Sequence, residues 1–326
     1  MLTNISGLLT LPHLRVQNAN AISSQHTWGV PSITAFSGLM TALERKLAGA
    51  IDLEFYGVGV ICHGYQAQTN GDYVQRFNLT RNPIDKDGST AAIVEEGRIH
   101  LDITLVFGVA GDVLTENEAK RDEIAANIAN IVATLRIAGG SVIPQANQPA
   151  RRIKPTLQAL NEGEKRAKQF RQLRRQWLPG FALLARDDLL HSHHAKLVGH
   201  NPDATLLDAW LDKSRLNHFP VTDDKGDTVW QHSRQQGEGW IVPIPVGYGA
   251  LSGLHPAGSV ANARDDSTPF RFVESVYSLG EWRSPHRLHD VLDLLWYPDF
   301  DEASGVYRCR NHYTAPQDTA SDLIGE

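Results

Sequence analysis

The chain has 326 residues, 41% hydrophobic and 21% charged, with a formal net charge of -6. That length accommodates one large domain or two ordinary ones and buries a sizeable core. The negative balance excludes a generic nucleic-acid coat protein, although a locally basic surface remains open to it. No apolar run reaches the roughly 18–20 residues that span a bilayer. Residues 1–12 carry neither a basic n-region nor a small-residue cleavage site. Cys62 and Cys309 lie far apart, with no CxxC pair and no disulfide framework. A reduced, cytoplasmic setting without membrane contact is therefore expected.

Residues 8–17 (LLTLPHLRVQ) form a strand with a proline near one end, and the polar loop NANAISS follows. Ile33, Phe36, Met40, Leu43 and Leu47 recur at three- and four-residue spacing, which predicts a helix over 31–47. Gly49 ends it. Residues 53–62 (LEFYGVGVIC) read as a second strand, where Gly57 and Gly59 mark a bulge or a close backbone contact. From 64 to 98 turn formers dominate: Asn70-Gly71, Asn82-Pro83 and Asp87-Gly88. Alternation predicts a third strand over 99–109. Ile124, Ile128, Ile131, Val132 and Leu135 share a helical face over 116–137, stopped by Gly139-Gly140. A fourth strand starts at 141–143.

This β-α-β-(insertion)-β-α-β order is α+β and matches the ferredoxin-like arrangement. RRM domains share it, and their open sheet face carries RNA. Beyond a proline-containing linker at 144–155, helices are expected over 161–177 and 187–210, and a loop over 220–239. Residues 240–246 (WIVPIPV) hold two prolines, hence an edge strand or an extended run. Residues 269–277 read as strand or extended chain, 286–296 as a short helix, and the tail from Thr314 as polar and frayed. Three regions result: a core over 1–145 with its insertion at 64–98, a divergent basic region over 146–240, and C-terminal strands and a helix over 241–326 that pack back on the core.

Catalytic signatures are sparse. His191, His193 and His194 lie close together without the acidic partner of an HExxH motif, and a solvated helix face accounts for them. Cys62 and His63 are adjacent in a strand and point to opposite faces, so Cys62 reads as a buried structural cysteine. No G-x-S-x-G elbow, GxxxxGK[ST] loop or GxGxxG turn opening a helix occurs. Neither a cofactor nor a metal is expected. The acidic cluster Asp299-Phe300-Asp301-Glu302 reads as an exposed loop. A metal-independent ribonuclease pairing His with Lys or Tyr stays open, because no spacing singles out a pair.

RNA binding has more to draw on. Arg15, Gln17, Asn18, Asn20, Ser23 and Ser24 form a polar run on the first strand and its exit loop. Asn and Gln pair with base edges, and Arg and Ser hold phosphates, although Asn and Ser also favour turns. The insertion carries Arg76, Phe77, Asn78, Arg81 and Asn82, an aromatic between arginines that can stack a base or seal a small core. Arg151, Arg152, Lys154, Lys165, Arg166, Lys168, Arg171, Arg174 and Arg175 crowd one stretch, where only Glu162 and Glu164 oppose them. Such a run tracks phosphates or simply solvates a helix. Arg264 and Arg271, beside Phe270 and Phe272, form a similar late cluster.

Several long strings carry more information than composition. LPHLRVQNANAISSQHTWGVPSITAF, RFNLTRNPIDKDGSTAAIVEEGRIHL, LRIAGGS, LPGFALL, GWIVPIPVGY, ARDDSTPFRFVESVYSLGEWRSPHR and LLWY run in order from about residue 8 to about residue 310. Together they resemble the second Csy protein of type I-F CRISPR systems, the Cas-five-like subunit of the Csy surveillance complex. The resemblance implies an RRM-like core of the RAMP superfamily, with the segment at 64–98 as a thumb-like insertion. It implies a non-catalytic RNA-binding subunit of a ribonucleoprotein that serves antiviral defence. With the large Csy subunit it would hold the 5′ handle of the CRISPR RNA, and it would abut the terminal subunit of the backbone filament. Guide pairing then supplies specificity for target DNA. Gly139 and Gly140 match the glycine-rich loop of the superfamily, where a backbone approaches RNA closely. Whether this subunit touches target double-stranded DNA is left open, as is a CRISPR RNA-processing endoribonuclease like some Cas-five relatives. Trp282, Trp296 and Tyr297 are candidates for a partner-facing apolar surface, with a core role for Trp296 as the alternative.

Overall fold

Fourteen residues, Gly7–Asn20, run as one strand, β1. Its Leu9, Leu11, Val16 and Ala19 turn to one side, while Leu8 and Thr10 turn to the other, as the two-residue period of a strand requires. After β1 come α1 (Ile33–Leu47), β2 (Glu54–Ala67), β3 (Thr69–Asn70), β4 (Arg76–Phe77), β5 (Leu79–Arg81), β6 (Ile93–Glu95), β7 (Arg98–Ala110), α2 (Glu118–Ala133), β8 (Arg136–Ile137) and β9 (Gly140–Ile143). Next are α3 (Ala150–Ile153), β10 (Thr156–Ala159), α4 (Gly163–Gln176), β11 (Phe181–Ala185), α5 (Asp187–His200), α6 (Leu206–Ser214), β12 (His218–Thr222) and β13 (Thr228–His232). The chain closes with β14 (Trp240–Ala250), β15 (Val273–Arg283), β16 (Trp296–Asp301) and β17 (Val306–Asn311). The computed structural model describes residues 2–81, 84, 87–90, 93–144, 149–234, 238–263 and 265–314.

The architecture is α+β, with one large antiparallel sheet and, among the described residues, six α-helices. Strands follow the order β11-β15-β14-β17-β16-β2-β7-β1-β9-β8, and β10 pairs with the start of β1. Because β11 also pairs with β2, the strands β2, β11, β15, β14, β17 and β16 close a circuit. Short hairpins β3–β4 and β5–β6 occupy the segment between β2 and β7.

Both faces of β1, β2 and β7 are covered for part of their length. On the first, Ile33, Phe36, Leu43 and Leu47 of α1 and Ile128 and Val132 of α2 meet Leu9, Val60, Leu101, Ile103 and Leu105. On the second, Phe170, Leu173 and Trp177, at the end of α4, meet Leu8, Ile61 and Val106. Apolar contact on this scale is the main favourable term in the fold. The glycines of β2 admit close neighbours: a Cβ at Gly59 would lie 2.3 Å from the Leu294 side chain.

Several elements differ from the sequence expectation. The helix expected over 116–137 ends at Ala133, because Arg136–Ile137 turns back as β8 against β9. One helix over 187–210 is two, since Thr205 starts α6 with a reciprocal capping box to Asp208. The loop over 220–239 contains the hairpin β12–β13. Residues 286–296 form no α-helix. Two 3-10 turns, Pro285–Arg287 and Val291–Leu294, lead into β16. Asp290 and Asp293 close the second turn with a reciprocal capping box, and the chain leaves it at Trp296 to pair with Val58 of β2. The acidic cluster at 299–302 is no free loop, as Asp299 to Asp301 belong to β16 and pair with β17.

Candidate nucleic-acid interface

The second face of the sheet changes character along β1. Beyond the apolar half under α4, the pairing of β1 with β7 slips twice, between Leu11 and Leu14 and between Val16 and Ala19. His13 and Asn18 sit in these irregularities at φ 51 and 56. Such bulges re-aim the side chains around them. Here they keep Leu14, Val16 and Ala19 on the core side and hand Arg15 and Gln17 to the second face. Arg15 pairs across with Asp102 of β7 and Ile143 of β9, and Gln17 with Ser141. Arg15, Gln17, Asn18 and Ser141 are exposed. The side chains of Arg15, Gln17 and Asn18 make no hydrogen bond among the described residues, so their donors and acceptors are free for a ligand. The backbone N–H of Asn18 donates to His100 Nδ1 at 3.1 Å.

The neighbouring sites are partly occupied by turn chemistry. Asn20 binds Ile22 twice, through Nδ2 to its carbonyl at 2.9 Å and Oδ1 from its N–H at 3.1 Å. Ser23 and Ser24 both reach Thr27, with hydroxyl separations of 2.8 and 2.6 Å. In the β8–β9 hairpin, Ala138 and Gly139 form the turn at φ 49 and 79. Gly139 is exposed with open space around it, whereas Gly140 is buried. A Cβ at Gly140 would lie 2.7 Å from the Ala19 nitrogen and 2.8 Å from the Gln17 carbonyl. That glycine is there to let the hairpin close on β1.

Of the insertion residues, Arg76 is exposed and Phe77 is half-buried against the core, edge-on to Trp28 at 5.7 Å. Asn78 is exposed and accepts from Asn70 Nδ2 at 2.7 Å. The side chain of Arg81, and Asn82 and Arg264 altogether, lie outside the described residues. Arg271 is not brought to this surface: it lies beside Gly305, at the turn joining β16 to β17 in the other half of the sheet.

Sequence reasoning missed the polar cluster beneath Arg15. The His13 ring is buried and stacks on His63 with centroids 4.0 Å apart. His13 Nδ1 donates to Asp102 at 3.0 Å, while its Nε2 is buried without a partner among the described residues. His63 donates from Nδ1 to the Pro179 carbonyl at 2.6 Å and accepts at Nε2 from Thr104 at 2.7 Å. Burial holds the His63 pKa below the ordinary imidazole value, and the bond to the Pro179 carbonyl only partly offsets that. The available signal was the alternation of β2 and β7, which puts His63, Asp102 and Thr104 on one face. As expected, Cys62 is buried, and burial pushes its thiol up to about 11. His193 and His194 were expected on a solvated face. They instead tie α5 to its neighbours, His193 to Asp212 at 2.7 Å and His194 to the Ala204 carbonyl at 3.0 Å. Among the described residues no cluster of metal-ligating side chains occurs.

A cleft of about 510 Å³ opens on the α1 side of the sheet, walled by Trp28, Tyr65, Phe181, Trp240 and Trp282. Trp296, by contrast, is in the core and donates from Nε1 to the Leu183 carbonyl at 2.8 Å. Tyr297 is half-buried and stacks on His312 at 5.0 Å.

Comparison with known proteins narrows the reading. Residues 9–309 match the model of the family described as CRISPR-associated protein (Cas_Csy2). The CRISPR-associated protein Csy2 of Pseudomonas aeruginosa (strain UCBPP-PA14) is 47% identical to this chain, in an alignment covering 94% of this chain and 95% of that protein.

Proposed function

Since the chain belongs to the Csy2 family of CRISPR-associated proteins, we propose that it is a non-catalytic RNA-binding subunit of a type I-F Csy complex. With the large Csy subunit it holds the 5′ handle of the CRISPR RNA, and it caps the backbone filament. Its β1-α1-β2-β7-α2-β9 succession is read as a ferredoxin-like, RRM-like core, with β9, β1, β7 and β2 as the four strands in that spatial order.

One observation carries the RNA reading. Arg15, Gln17 and Asn18 stand exposed, without side-chain partners among the described residues, on the second face of that four-stranded unit, beside Ser141. RRM sheets use this face for RNA. Arg15 would hold a phosphate, while Gln17 and Asn18 would read base edges. The endoribonuclease alternative gains little from the histidine pair. His13 has the carboxylate-backed arrangement of a general base, but its Nε2 is buried, and both ring nitrogens of His63 are engaged.

Co-expression with a tagged large Csy subunit and a CRISPR transcript, followed by sequencing of the retained RNA, tests the proposal. Fragments beginning at the repeat-derived 5′ handle should be enriched, and Arg15→Ala with Gln17→Ala should reduce that enrichment several-fold. A stable complex that carries no RNA would overturn it. So would cleavage of repeat RNA by the purified chain.

A further inference from the structure

Helix α4 carries six cations against one acid, Glu164, in a chain whose net charge is -6. Two of the six are structural. Arg166 pairs with Asp290 at 2.7 Å, and Arg174 donates to the carbonyls of His286 and Leu288 at 2.9 Å. The other four, Lys165, Lys168, Arg171 and Arg175, are exposed and form no ion pair among the described residues. At successive spacings of three, three and four they share one helical face. Phe170 and Leu173 anchor the opposite side in the core.

This arrangement works against the helix itself. Like charges this close on a helix face repel, and Lys165 in the first turn opposes the helix dipole, which of the four only Arg175 in the last turn complements. Nothing described in the chain neutralises them. The row is about 15 Å long, from a rise of about 1.5 Å per residue over ten residues, and it is rigidly mounted.

Its position decides among anionic partners. Pro179, just beyond α4, is bonded to His63, which stacks on His13 in the strand that presents Arg15. Helix α3, with Arg151 and Arg152 exposed, packs against the same strand. The C-terminal end of α4 and the basic helix α3 thus both border the strand that presents Arg15. We infer that α4 is a phosphate-tracking path: it holds the backbone of the CRISPR RNA strand next to the segment bound at Arg15 and Gln17, without reading its sequence. This rests on the RNA-binding proposal above and extends it to a second, sequence-independent surface.

The test uses the chain assembled with the large Csy subunit, and measures binding of a handle-bearing RNA and a scrambled RNA of equal length against KCl concentration. Each phosphate contact on a single strand contributes about 0.7 to the slope of log K against log salt. Replacing Lys165, Lys168, Arg171 and Arg175 together with Gln should lower that slope by up to about 3 for both RNAs, leaving their affinity ratio unchanged. Lys165→Arg with Lys168→Arg, which keeps the charge, should leave the slope intact. Gln17→Ala should do the reverse of the Gln set, lowering the ratio and not the slope. An unchanged slope in the fourfold variant, with wild-type binding intact, overturns the α4 path alone. A slope that falls for duplex DNA and not for RNA also overturns it, in favour of a DNA-facing helix. Failure of the wild-type assembly to bind either RNA removes the function proposal as well.

Discussion

His63 shows how little room a half-buried imidazole has for a second proton. Nδ1 already donates to the Pro179 carbonyl, and Nε2 accepts from the Thr104 hydroxyl, whose oxygen in turn accepts the His13 backbone N–H at 3.1 Å. Protonation at Nε2 would turn that acceptor into a donor facing the hydroxyl. Its pKa is held below the ordinary value of 6.5, first by burial and further by His13, against the raising effect of the Pro179 carbonyl. A depressed folded pKa means that the unfolded chain binds the proton more readily. Stability is thus fully present above 6.5 and is lost as pH falls through the lower folded value. Thermal melts from pH 8 to pH 5 should show a falling midpoint in the wild type and a flatter profile in His63→Gln; parallel profiles would refute this. At this scale, legibility was uneven. The buried Cys62 was readable because an apolar strand surrounds it. The histidine pair was not, because His13 reaches His63 only through a bulge that no local pattern marks.

At the scale of elements, periodicity served well where one face alone decides. Helix α1 is an example, since Phe36, Met40, Leu43 and Leu47 recur on one side and all are buried. Ser32 caps it, accepting from the Thr34 N–H at 3.3 Å, and donates to the Pro245 carbonyl of β14 at 3.2 Å. The cap therefore also ties the helix to the distant half of the sheet. Ser32→Ala should cost about 0.5–2 kcal/mol, measured as a lower midpoint in chemical denaturation; an unmoved midpoint would show that the cap is dispensable. Strand β14 shows why its prolines were ambiguous. It pairs with β15 throughout, but with β17 only over residues 247–249. Pro243 and Pro245 thus fall where the strand has one neighbour and a missing N–H breaks no second ladder. The edge strand expected over 240–246 is therefore what the structure shows there, and the second neighbour begins only at Gly247. The segment before β16 misled for a different reason: Leu288, Val291 and Leu294 do serve one cluster, but the capping box of Asp290 with Asp293 closes a single 3-10 turn and the chain leaves it as a strand.

For the molecule as a whole, the decisive residue is Trp296. It pairs with Val58 of β2, and its indole N–H reaches the Leu183 carbonyl of β11, so it spans the circuit of strands. Trp296→Ala should cost about 3–5 kcal/mol through the cavity left behind. Trp296→Phe should cost about 1–3 kcal/mol, mainly by leaving a buried carbonyl unpaired. Equal losses in thermal or denaturant melts would refute the separate role of the indole N–H. Sequence alone placed Trp296 equally well at a surface or in a core, because the strand it crosses to lies more than a hundred residues away. The succession of elements up to residue 143 was legible because each long strand and helix there carries its own apolar period, although β1 pairs with the distant β7 and β9. The polar run on β1 was legible as chemistry, while its division into free side chains at 15–18 and self-bonded turn at 20–27 required the backbone.

The strand circuit also sets an order of events during synthesis. One edge of β2 is covered by β7, made within the first 110 residues, but the other waits for β11 at 181–185 and β16 at 296–301. An uncovered strand edge invites pairing with other chains, and pairings this distant in sequence form slowly. Until nearly the whole chain has left the ribosome, its N-terminal half carries an unfinished edge. Nascent or truncated chains are accordingly the species most exposed to aggregation, and early chaperone or partner contact would guard that edge.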